Sequence, residues 1–232
     1  MAAAALVAAR RAGSLALAAG TNFAPLALGV AAPGGAVMRA LMLRRLPRPR
    51  QTLDGVLRHV ERFGAPFDGR LRVAAVDRAT GRRVMFGSPG APRASVAQAV
   101  AASCTVPWLF APFEIDGREY VDGGVWSPTN LDAAPAGRDT HVLCLNPTAS
   151  LPGSAGALAM VRRVSRSAVS IEALALRRRG VAVQVVGPDV ESAAAMGTNF
   201  MEREPRSRVL AAAYRQGLKL GRGNDALELS GR

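Results

Sequence analysis

Two short and almost uninterrupted apolar runs, His141-Val-Leu-Cys-Leu145 and Val181-Ala-Val-Gln-Val-Val186, constrain the fold most. Runs of this length are strands buried on both faces, the kind found in parallel sheets. The residues between them carry a helical pattern from about Ala155 to Arg179, and Gly180 stands where a helix C-terminal cap belongs. A strand, a long helix and a second strand form one parallel crossover unit. Upstream, Leu71-Arg-Val-Ala-Ala-Val-Asp77 and Arg83-Val-Met-Phe86 flank a turn containing Gly81 and predict a hairpin. Helices are expected over Ala2 to Ala12, Leu53 to Phe63, Ala94 to Ser103 and Pro205 to Leu220. Residues 20 to 36 read as a loop and Pro47 to Arg50 as a basic linker. Strands alternating with helices give an α/β layered architecture.

Composition narrows the function classes. At 232 residues and 49% hydrophobic, the chain can bury a core, and it reads as a single domain over 1–232. Two cysteines, Cys104 and Cys144, exclude a disulfide-dense scaffold, and His59 and His141 are too few for a zinc site built on several His or Cys ligands. No metal and no cofactor is expected. The net charge of +13 is carried by arginines in scattered pairs and triplets, with Lys219 the sole lysine. That scatter lacks the single basic motif of a nucleic-acid binder, so no nucleic acid is expected. It suits solvated surfaces, or peripheral contact with an acidic membrane surface. Arg10-Arg11 follow the first apolar residues instead of preceding them, and Asn22 and Pro25 interrupt the stretch from Ala2 to Val30. The chain is therefore read as cytoplasmic, associating at most with a membrane surface, and without an obvious export signal or span.

The chemistry concentrates at Asp122, in Tyr120-Val-Asp-Gly-Gly-Val125. An acid at the end of an apolar strand stands at the rim of a sheet, where α/β folds bind ligands. The glycines Gly123 and Gly124 permit a sharp turn and close backbone approach. By itself Asp-Gly-Gly is also an ordinary turn.

The neighbouring motifs lift it above that. Ala102-Ser103, Pro107, Phe110, Pro112 and Tyr120 to Gly124, in this order, resemble the patatin-like phospholipase family. In that family a helix ends in Ala-Ser-x-x-x-Pro-x-x-Phe-x-Pro and a strand follows with Tyr-x-Asp-Gly-Gly. The hairpin around Asp77 and Gly81, Ser127-Pro-Thr-Asn130 and Met196 to Met201 are similar to further family segments, so residues 70–220 carry the resemblance. It implies a three-layer fold with a mostly parallel central sheet and hydrolysis of lipid or phospholipid acyl esters by a Ser–Asp dyad. Asp122 would be the general base, with no cofactor.

The serine itself is not found. The family places it in a Gly-x-Ser-x-Gly elbow between strand and helix. Ser154, in Pro152-Gly-Ser-Ala-Gly156, has only the trailing glycine and follows Asp122; Ser14 has neither flanking glycine. Ala2 to Arg10 looks like the small apolar helix that follows the family's serine. The expectation is accordingly a chain whose first strand, oxyanion loop and nucleophile elbow precede Met1. The alternative is a catalytically inactive remnant that binds lipid or protein. Trp108, Phe110 and Phe113 are candidates for an acyl pocket or for core. Leu158, Val161, Ile171 and Leu174 suggest the inner face of their helix, with Arg162, Arg163 and Arg166 outside. Gly221-Arg-Gly223 lacks the strand–turn–helix context of a nucleotide loop.

Overall fold

The computed structural model describes residues 35–150, 157–197 and 205–229. The expected Ala2–Ala12 helix, Ser14, Ser154 and residues 198–201 lie outside them, as do the side chains of Leu158, Val161, Arg162 and Arg163.

The first element is a helix that no sequence pattern announced, α1 (Ala36–Arg45). Its residues are good helix formers, and it ends at Leu46, whose extended backbone is what a residue preceding proline adopts. Helix α2 (Asp54–Glu61) follows. Its stripe Leu53, Val56, Leu57 and Val60 is half-buried, while Phe63 is 70% exposed. The hairpin forms as expected, from β1 (Val73–Asp77) and β2 (Arg83–Phe86). Its turn is built by Asp77, whose carboxylate accepts from the N–H groups of Ala79 and Thr80, and by Gly81 at φ +65°. A side chain at Gly81 would collide with the backbone of α1, its Cβ lying 2.1 Å from the Ala36 carbonyl oxygen.

Helix α3 (Val96–Ser103) begins with a reciprocal cap. The Gln98 N–H donates to Ser95 Oγ, and the Ser95 N–H donates to Gln98 Oε1. Its Ala99, Ala101 and Ala102 are fully buried, so the helix lies close against the sheet. Strands β3 (Phe113–Ile115) and β4 (Arg118–Asp122) are joined through Asp116 and Gly117, both at positive φ, a turn that suits the twist of a tight hairpin.

These strands form one sheet in the order β2-β1-β4-β3, and every pairing in it is antiparallel. The expected mostly parallel sheet is thus corrected: among the described residues the parallel pairing is confined to β5 (His141–Leu145) and β6 (Ala182–Val186). The reason is connection length. Short turns join β1 to β2 and β3 to β4, and a parallel partner needs a crossover of about a dozen residues or more. Helix α3 packs Ala99 and Ala102 against Ala75, Phe86 and Tyr120 on one face. On the other, Leu43 of α1 packs against Val76 and Val121. The result is a helix–sheet–helix sandwich.

The crossover helix α4 (Ala157–Arg177) joins β5 to β6. Val169, Ala173 and Leu176 pack against Val142, Cys144 and Val183. This overturns the inner face expected from Ile171 and Leu174, which are 69% and 48% exposed. Helices α5 (Val190–Met196) and α6 (Arg206–Leu229) close the chain. The α6 helix continues through Gly221-Arg-Gly223, which is helix and not loop.

Candidate active site

Asp122 is the last residue of β4, level with Ala75 on β1. The strand ends there because the Asp122 N–H leaves the ladder and donates to the Thr105 carbonyl at 2.8 Å. Thr105 lies just beyond α3 and is held in turn by its own hydroxyl, which donates to the Ala101 carbonyl. The Ala-Ser-x-x-x-Pro segment and the Tyr-x-Asp-Gly-Gly strand, separate in sequence, are therefore joined by a backbone hydrogen bond at the acid.

The glycines after Asp122 have different reasons to be glycine. A Cβ on Gly123 would stand 2.4 Å from the Ala74 carbonyl oxygen, a contact no backbone tolerates. Gly124 is exposed, and its constraint is the acid itself: its N–H donates to Asp122 Oδ1 at 2.6 Å. The chain then makes a short 3-10 turn over Gly123–Val125.

The Asp122 carboxylate is half-buried and has no cationic partner among the described residues. Desolvation pushes its pKa above the ordinary carboxylate value, and the Gly124 N–H bond offsets this only partly. Among the described residues no hydroxyl hydrogen-bonds this carboxylate. The thiol of Cys104, at the end of α3, is also raised, first by desolvation and then by the charge of Asp122. Cys104 is exposed, whereas Cys144 on β5 is buried.

Behind the turn, residues 126–132 form a braced loop. Asn130, in the left-handed region at φ 50°, donates from Nδ2 to the carbonyls of Gly123 and Ser127, at 3.3 and 2.8 Å. Arg83 of β2 donates to Asn130 Oδ1 and grips both carboxylate oxygens of Asp132 at 2.6 and 2.8 Å. The guanidinium groups of Arg39 and Arg83 lie 4.3 and 5.1 Å from the centre of the Trp126 ring. Glu172 reaches in from α4, where its Oε2 accepts from Thr129 Oγ1 and the Leu131 N–H, at 2.6 and 2.8 Å.

The sequence marks Ser127 to Asn130 as a family-like segment but points to no role for Arg39, Arg83, Trp126 or Glu172. For Glu172 a signal existed: it shares a helical face with Val169, Ala173 and Leu176, so it is an acid on the buried side. Of the aromatic candidates, Phe113 packs against the α3 core, and Trp108 and Phe110 are half-buried outside it. Arg166 is exposed and donates to the Ala149 carbonyl. Among the described residues no three His, Cys, Asp or Glu side chains converge as a metal site, and no helix is long and apolar enough to cross a membrane.

A family model described as Patatin-like phospholipase matches residues 15–135, just over half of the sequence. The matched stretch runs through α1 and the antiparallel sheet to the braced loop behind Asp122, while β5, α4, β6 and α6 lie beyond it.

Proposed function

Because this chain belongs to the patatin-like phospholipase family, whose activity is on lipid acyl esters, we propose that it forms a serine acyl hydrolase with Asp122 as its general base. The observation that carries this reading is the state of the carboxylate. It is desolvated, shifted toward greater basicity, unpaired with any cation among the described residues, and oriented by the Gly124 N–H. A structural aspartate is ordinarily neutralised by a cation; Asp122 caps the 3-10 turn through the Gly124 N–H but has no such partner among the described residues. An aspartate left basic at a strand end suits proton abstraction.

The nucleophile, on this reading, is a serine in a Gly-x-Ser-x-Gly elbow, a motif that the 232 residues do not contain. Asp122 takes the proton from its hydroxyl as the oxygen attacks the ester carbonyl. The tetrahedral adduct collapses, the alcohol leaves with a proton, and the acyl group stays on the serine. Asp122 then takes a proton from water, which attacks the acyl-enzyme and releases the fatty acid. One carboxylate serves both half-reactions, and no histidine is needed. The braces from Asn130, Arg83 and Glu172 keep the turn that presents this carboxylate from relaxing.

The test pairs the intact mass of the native-source protein with the variant Asp122→Asn in that same protein. Loss of lipid esterase activity in the variant supports the base assignment. Full activity in the variant sinks it. A native mass of 24.1 kDa together with no esterase activity in the wild-type protein would turn the reading to a lipid- or protein-binding member of the fold.

A further inference from the structure

Helix α6 turns its apolar side away from the protein. Inward it offers Ala212, which is buried, and Val209 and Gln216, which are half-buried. Gln216 anchors it: Nε2 donates to the Gly187 carbonyl at 2.7 Å, and Oε1 accepts from the Asp189 N–H at 3.1 Å. Among the described residues, no apolar core cluster contains a residue of α6. Outward the helix presents Leu210, Tyr214 and Leu218, four residues apart and 70%, 67% and 46% exposed. Ala211, Gly217 and Gly221 share this face, are exposed too, and add no charge to it. A surface helix ordinarily keeps its apolar stripe toward the core and its polar side toward solvent; here the pattern is reversed.

The charge stands at the borders of the stripe. By helix geometry, Arg206 lies about a quarter turn from it on one side, and Arg215 and Arg222 about a quarter turn on the other. With Arg208 and Lys219 they make five cations between Arg206 and Arg222, and no acid falls in that stretch. Glu191 of α5 holds Arg215 and Lys219. Arg206, Arg208 and Arg222 join no ion pair among the described residues. The scattered arginines of the sequence suit solvent as well as an acidic surface; on α6 they border exposed apolar residues.

Charge decides between occupants. A second copy of this helix would set five cations against five with no acid in either stretch, so self-pairing is disfavoured. An acidic lipid surface meets both features at once. The leucines enter the acyl boundary, and the arginines reach the headgroups along their apolar stems. Tyrosine, apolar along its ring and polar at its tip, suits the same boundary.

We propose that the Leu210–Tyr214–Leu218 face of α6 docks the protein on an anionic lipid surface. The choice of lipid over an acidic protein rests on the family's lipid substrates. The docking face itself is independent of Asp122 and lies beyond the residues that the family model matches.

The whole chain is mixed with vesicles of phosphatidylcholine, alone or with phosphatidylglycerol, and sedimentation measures the bound fraction, with circular dichroism as the check on folding. The acidic vesicles should bind the wild type about tenfold or more tightly than the neutral ones, and added salt should remove the difference. Leu210→Asn/Leu218→Asn should weaken binding to acidic vesicles about tenfold or more, and Val37→Asn, at an exposed apolar residue of α1, should leave it unchanged. Arg206→Gln/Arg222→Gln should cost about tenfold on acidic vesicles and nothing on neutral ones. Binding that ignores the leucine substitutions overturns the docking face, since net charge alone then accounts for it. No binding to acidic vesicles overturns the membrane as occupant and leaves the stripe to an acidic protein. A dimer in sedimentation velocity that the leucine substitutions dissociate assigns the face to a second copy and also overturns the proposal. Vesicle binding should be unchanged in Asp122→Asn; esterase activity that survives this substitution beside leucine-dependent binding would defeat the catalytic reading alone.

Discussion

Asp122 and Gly124 constrain each other: the Gly124 N–H donates to Asp122 Oδ1 at 2.6 Å, and a Cβ on Gly124 would sit 2.9 Å from that same oxygen. The orientation of the acid thus depends on an exposed residue with no side chain. Gly124→Ala should leave the fold nearly intact, within about 1 kcal/mol, because the atom it meets is a movable carboxylate. It should lower esterase activity by an order of magnitude or so by turning that carboxylate. Gly123→Ala meets the immovable Ala74 backbone and should cost about 1–3 kcal/mol or more. Urea melts beside activity measurements separate the two effects.

Asp122 is raised on folding, and the sign of that shift matters. The folded protein holds this proton at pH values where the unfolded chain has released it. Above the folded pKa the ionised carboxylate therefore opposes stability, and the penalty disappears as pH falls through that pKa toward the unfolded value. Asp122→Asn removes the penalty, so its melting temperature at pH 7 should equal or exceed that of the wild type. Activity should fall about 10²–10⁴-fold, the usual contribution of a general base. The acid limb of the wild-type pH–rate profile should lie above the ordinary carboxylate range. A melting temperature well below wild type would show that Asp122 serves the fold instead.

Cys104 reports on the charge of Asp122. Its thiol is held above the usual cysteine value by desolvation and then by that carboxylate, and the thiolate is the species that reacts with alkylating reagents. Iodoacetamide should modify exposed Cys104 slowly at pH 7.5 and faster as pH rises. In Asp122→Asn the rate at pH 7.5 should increase several-fold. Mass spectrometry resolves Cys104 from buried Cys144, which should react more slowly in both proteins. An unchanged Cys104 rate in the variant would break the electrostatic link.

Glu172 ties α4 to the loop behind the acid through Thr129 and Leu131. Glu172→Ala strands two partly buried donors and should cost about 1–3 kcal/mol in the urea midpoint. Glu172→Gln keeps an acceptor oxygen and should cost less. Equal losses in the two variants would mean that packing of the side-chain stem, and not its hydrogen bonds, holds the loop.

What could be read from the residues alone was local. The hairpin follows from alternating apolar residues around Asp77 and Gly81, and α3 from its small residues and the Ser95 start. The parallel pairing of β5 with β6 follows from two apolar runs joined by a crossover helix, but their expected burial on both faces does not hold: α4 covers Val142, Cys144 and Val183, while Leu143 and Leu145 on the other face are exposed. Helix α1 escaped notice because its surface is inverted: Val37, Met38 and Leu41 are exposed while Arg39 is buried. No periodicity rule finds an arginine on the inner side.

By itself the sequence determined that an acid would end a strand and precede two glycines, with Ala-Ser-x-x-x-Pro upstream, since strand propensity and turn chemistry act over neighbouring residues. The tertiary structure alone decided the antiparallel order β2-β1-β4-β3, the Thr105 hydrogen bond at Asp122, and the turn of Glu172 inward and Ile171 outward. Each of these depends on which distant segments share the burial of one surface, and that competition is settled only when the whole chain packs.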